Sequence, residues 1–156
     1  MKKLFILPIL LIPLFLLVSC GEPPTVQSDF TASFTADHNG SVYRGTVAKE
    51  GGGLVVSLSE PYTVSGMEFC WEDSALSVRC QGHCTNANAD YLPADSLPAS
   101  LHNALAYLPQ ASYLSTENGE DRFTLPTPYG DAALTARSGI PTSLADPNGS
   151  TVFYFE

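Results

Sequence analysis

The side chains with reactive chemistry in this chain are four cysteines, Cys20, Cys70, Cys80 and Cys84, and three histidines, His38, His83 and His102. Cys80-Gln81-Gly82-His83-Cys84 places two thiols and an imidazole in one short run. Thiolates and imidazoles are zinc ligands, but a closed structural site takes four of them, and the spacing matches no C-x2-C ribbon, so no metal is expected. A thiol nucleophile needs its base within hydrogen-bond reach. Adjacent residues of an extended strand point to opposite faces, which keeps the His83 ring away from Cys84. The chain has no G-x-S-x-G elbow, phosphate-binding loop, dinucleotide fingerprint or H-E-x-x-H helix. The acidic pairs Glu72-Asp73 and Glu120-Asp121 fall at turns with no calcium-type loop around them and read as solvated turn ends. No enzymatic activity and no cofactor is expected. With 7 Lys+Arg against 16 Asp+Glu, the chain also lacks the charge that neutralises nucleic-acid phosphates.

The N-terminus points to a location. Met1-Lys2-Lys3 is followed by an uncharged run from Leu4 to Val18, interrupted by Pro8 and Pro13. This is the layout of a secretory signal peptide, and the run is short of the about twenty residues that span a bilayer. It ends in Leu17-Val18-Ser19-Cys20, which resembles the bacterial lipobox, where the cysteine thiol takes a diacylglycerol and the leader is cut just before it. The resemblance implies a signal peptide over 1–19, a lipid anchor on Cys20 and an extracytoplasmic domain held to a bacterial membrane. Removing 19 residues, Lys2 and Lys3 among them, from 156 leaves 137 with a formal charge of −11. Such a domain is not drawn to anionic lipid by its charge, so the acyl chains must supply the anchoring. Residues 20–28, Pro-rich and polar after the cysteine, read as a lipidated tether, and 29–156 as a single domain. Disulfides form outside the cytoplasm, and the three remaining cysteines allow one internal bridge. Cys70–Cys80 would link neighbouring hairpin strands; Cys80–Cys84 would close a tight loop.

The elements that would position these groups are mostly strands. Phe30, Ala32, Phe34 and Ala36 alternate with polar residues, the period of a half-buried strand. His38-Asn39-Gly40 turns the chain, because Asn-Gly accepts positive φ at both positions. Val42–Ala48, Leu54–Ser59, the run with Met67, Phe69 and Trp71, and the run with Leu76, Val78 and Cys80 continue the pattern as an antiparallel meander. Asn86–Asp95 is polar and irregular. Leu101, Ala104, Leu105 and Leu108 then fall on one stripe of a helix over about 99–108, opened by Pro98 and stopped by Pro109. His102 lies beside that stripe and reads as a partly exposed helix histidine. Five short strands follow, from Ser112 to Phe155. The last, Thr151–Phe155, is apolar on both faces, which suggests cover on both. The expected fold is mainly β (α+β): a strongly curved antiparallel sheet, or incomplete barrel, of about 9–10 strands with one covering helix.

One helix of that length is little cover for so wide a sheet. A curved sheet with one plugging helix would leave an apolar cavity of the kind that takes acyl chains. Phe34, Tyr43, Val56, Phe69, Trp71, Leu76, Leu105 and Leu108 are the expected lining. The competing expectation is a filled core in an envelope module that engages a protein partner. YRGTVAKEGGGLVVSLSEPYTVSG, FCWEDSALSVRCQG and the closing SGIPTSLADPNGSTVFYFE, in this order around a Pro-flanked helix, resemble the lipoprotein-carrier and lipoprotein-receptor (LolA/LolB-like) half-barrels. Pro61, Glu72-Asp73-Ser74 and Gly139-Ile140-Pro141 sit where that family has a strand ending in Pro, an acidic hairpin turn and a closing Gly-x-Pro strand. The resemblance, over roughly Asp29–Glu156, implies an incomplete barrel over a helix with a cavity for lipid or lipoprotein acyl chains.

Overall fold

The computed structural model describes residues 22–73 and 75–156; the leader, the lipobox and Cys20 lie outside the described residues. The strands are β1 (Phe30–His38), β2 (Ser41–Glu50), β3 (Gly53–Glu60), β4 (Met67–Glu72), β5 (Ala75–Cys80) and β6 (His83–Ala87). After a polar loop and helix α1 (Leu97–Leu105) come β7 (Ser112–Glu117), β8 (Glu120–Thr127), β9 (Gly130–Arg137), β10 (Ile140–Ala145) and β11 (Thr151–Phe155). They form one antiparallel sheet in the order β6-β5-β4-β3-β2-β1-β11-β10-β9-β8-β7. Two meanders thus meet where the first strand pairs with the last, Phe34 opposite Phe155. The sheet stays open, its two edges β6 and β7 joined through α1.

Alternation fixes which face is covered. In β1, Ala32, Phe34 and Ala36 are buried, and in β3 Leu54, Val56 and Leu58. The far meander does the same with Phe123, Leu125, Leu134 and Leu144. These residues and the α1 stripe Leu101, Ala104 and Leu105 make a single apolar cluster. Curvature comes from small residues on the concave side. A β-carbon at Gly45 would fall on the Ser57 carbonyl and within 2.9 Å of the Phe34 ring. A bulge that leaves Ser59 of β3 without a partner opposite Arg44 and Gly45 bends the sheet at the same point. Asn39 and Gly40 carry φ of 51° and 79°, so this tight turn holds the register of β1 against β2 as the Asn-Gly pair predicts.

The structure departs from the sequence expectations in three places. The sheet has β6 as an additional strand, HCTNA, which carries no alternation and is mostly exposed. α1 begins two residues earlier than expected, at Leu97, and ends at Leu105; Leu108 lies in a separate 3-10 turn, Leu108–Gln110. β11 is covered on one face only, since Phe153 and Phe155 are buried while Tyr154 is 54% exposed.

Candidate functional site: the covered concave face and its groove

The expected cavity residues come together, but as a packed core. Phe34, Val56, Phe69, Trp71, Leu76, Leu105 and Leu108 are all buried in the one cluster, and Tyr43 packs at its margin. Of the expected lining residues, Phe34 also faces a groove of about 530 Å³ and Trp71 one of about 410 Å³. Ala32, Ala36, Ala132 and Ala136 on the concave face, with Gly45, let the sheet close down on α1 until one short helix fills it. Packing at interior density leaves each such side chain contributing about 1.5–3 kcal/mol through burial.

Open grooves of about 530 and 500 Å³ lie along β1–β3 at Phe34, Gly45 and Leu58 and at the β5–β6 turn, and a further one lies beside the helix. A groove runs over α1 in two parts that share Ala94, Asn103 and Tyr129. The larger, about 410 Å³, lies between α1 and the Ala89–Ala94 loop and is lined by Trp71 and His102. The smaller, about 90 Å³, reaches Thr127 and the Asp146-Pro147-Asn148 loop. At the wall of the larger part the His102 ring lies flat on the Trp71 indole, centroids 4.6 Å apart and 14° from parallel. Trp71 in turn stacks on Phe69, at 6.2 Å and 24°. The groove therefore touches the core through aromatic rings. Burial holds His102 below the ordinary histidine range; Lys49 pushes the same way, and a hydrogen bond with Asn103 opposes both.

His102 is the site residue that the sequence undervalued. The stripe placed it next to Leu101, but its partner is 31 positions away on β4, beyond any local periodicity. The start of α1 is also unusual. Ser96 occupies the N-cap without capping, and its buried hydroxyl has no hydrogen-bond partner among the described residues. An uncapped helix start costs about 1 kcal/mol relative to a capped one.

The cysteines do not converge. Among the described residues, Cys70, Cys80 and Cys84 form no disulfide with one another. Met67 pairs with Cys80 and Cys70 with Ser77, so Cys80 shares the concave side with Met67 while Cys70 points the other way. Of the two candidate pairings, strand parity puts the Cys70 and Cys80 thiols on opposite faces. Cys80 pairs with His83 across the β5–β6 turn, and Cys84 with Arg79 on the outer face. Arg79 is held above its ordinary value, first by a hydrogen bond with the Cys84 side chain and then by the charges of Cys70 and Cys84. Among the described residues no three His, Cys, Asp or Glu side chains gather where a metal ion would sit.

The chain is similar to solved structures that share its breadth. One is a LolA superfamily protein from Nitrosomonas europaea, at 14% identity over 86% of this chain and 87% of that one, with a TM-score of 0.46. The other is a chain in the structure of the CwlD amidase from Clostridioides difficile in complex with the GerS lipoprotein, at 12% identity over 96% of this chain and 91% of that one, with a TM-score of 0.42. The first bears the superfamily name that the sequence resemblance reached. At these scores neither likeness carries a functional argument, and the open half-barrel stands on the chain's own strand order. No family model matches the chain, and no curated protein does.

Proposed function

We propose that this is a non-enzymatic extracytoplasmic lipoprotein, anchored to a bacterial membrane through Cys20, that binds an apolar chain of a lipid or of a lipoprotein's acyl group. The observation that supports it is the groove of about 410 Å³ whose wall is Trp71 and His102. It falls within the about 300–1,000 Å³ of small-molecule sites, and Leu92, Pro93, Ala94 and Ala99 line it beside Trp71. The concave face is filled by α1, so a chain deeper than the groove requires the helix to lift.

The filled core favours the second reading, an envelope module that engages a protein partner with no ligand inside. Native mass spectrometry of the mature lipoprotein, released in mild detergent, separates the two. The proposal expects one co-purifying acyl compound per chain, lost in Asn103→Phe, which fills the groove without entering the core. A chain that arrives empty and stays empty when fatty acid is added contradicts it and leaves the second reading.

A further inference from the structure

The segment between the anchor cysteine and β1 is seated on the fold. The Gln27 N–H donates to the Gly139 carbonyl at 2.9 Å, in the β9–β10 turn. Gly139 has φ +81°, and a β-carbon there would lie 3.1 Å from the Thr25 carbonyl and 3.6 Å from Gln27 Cγ. Val26 packs against the core cluster. Asp29 Oδ1 accepts from the Gly51 N–H at 2.9 Å, in the β2–β3 turn. Backbone, side chain and apolar contacts therefore hold residues 25–29 across two turns at one end of the strands.

We infer that this segment is a strut that presents the β9–β10 and β2–β3 turns to the bilayer headgroups and the opposite strand ends to the aqueous side. The inference rests on the Cys20 anchor proposed above. From Cys20 to Thr25 the chain reaches at most about 17 Å, with Pro23 and Pro24 stiffening it. That keeps the seated end near the surface. The turns at this end carry Glu50, Glu72, Asp73, Glu117 and Glu120, so the short tether, and not charge, is what holds it at the surface. The far ends carry the Asn39-Gly40 turn, bonded through the Asn39 N–H to the Ser150 carbonyl at 2.9 Å. The Asp146–Asn148 wall of the groove belongs to that same β10–β11 loop. At about 3.3 Å per residue, Ser41 and Glu50 at the two ends of β2 are about 30 Å apart. The occupant of the seated end is thus a lipid surface, and that wall of the groove opens away from it.

The test labels Glu50→Cys or Ser41→Cys with a fluorophore, in the full lipidated chain with Cys70, Cys80 and Cys84 replaced by Ser. The chain is reconstituted in phosphatidylcholine–phosphatidylglycerol vesicles that carry a headgroup quencher. Quenching at position 50 is expected to exceed that at 41 by at least severalfold. A flexible Gly/Ser insertion between Pro24 and Thr25 is expected to erase most of the contrast without disturbing the fold. Equal quenching at both positions in the uninterrupted chain, with the protein floating with the vesicles, overturns the strut and leaves the anchor standing. A chain that does not float overturns the anchor and the strut together.

Discussion

The two sides of α1 are held differently. Toward the far meander the helix and the 3-10 turn after it contact β8, and only about 90 Å³ is left beside the Asp146–Asn148 loop. Toward the Ala89–Ala94 loop the groove is about 410 Å³, and at its wall the His102 imidazole lies on the Trp71 indole of β4. The first side is an apolar core contact that fixes the helix. The second is a stacked pair over open space, next to a helix start whose cap is unmade. The apolar packing of α1 is thus closed on the β8 side, and the groove lies on the other.

The largest effect is expected from breaking the fixed side. Leu105 is fully buried, and Leu105→Ala should cost about 2–5 kcal/mol in urea unfolding. The same measurement on His102→Asn should give a much smaller loss. If the two costs are equal, the two sides of α1 are not different. Gly45→Ala, which crowds the Ser57 carbonyl and the Phe34 ring, should cost about 1–3 kcal/mol by forcing the curved sheet open.

The open side should respond to acid. His102 sits below its unfolded value of about 6.5, so the native chain holds fewer protons than the unfolded one over the interval between the two values. Stability should therefore be constant above about pH 6.5 and fall as the pH drops from there toward the native value. His102→Asn should flatten that part of the profile, and an unchanged slope in the variant would place the acid sensitivity elsewhere. At the small end, Tyr154→Ser on the uncovered face of β11 should shift stability by less than about 0.5 kcal/mol. Among the thiols, Cys84 should react with a maleimide at once and the buried Cys70 only on unfolding.

Much of the fold was readable because its strands alternate cleanly and its turns carry Asn-Gly or Ser-Gly. β6 was not, since HCTNA is polar on both faces and is a strand only because the Gln81-Gly82 turn lays it against β5. The closeness of the core was hidden as well. The alternating Phe, Val and Leu residues announce an apolar face, but the alanines and Gly45 that draw it onto α1 carry no separate signal. The faces of Cys70 and Cys80 were hidden because they depend on register. The lipid anchor rests on residues outside the described part of the chain, and sequence alone speaks for it. The His102–Trp71 stack was invisible, being a contact between distant elements; an imidazole beside an apolar helical stripe, in a chain with a single tryptophan, was its only hint.

That single tryptophan makes the decisive measurement possible. The lipidated protein in vesicles is titrated with a fatty acid brominated along its chain while Trp71 emission is followed. Saturable quenching at one equivalent, abolished in Asn103→Phe, is the predicted result. Emission that does not change at any concentration, with fold and anchor intact, would contradict the groove as a binding site for an apolar chain.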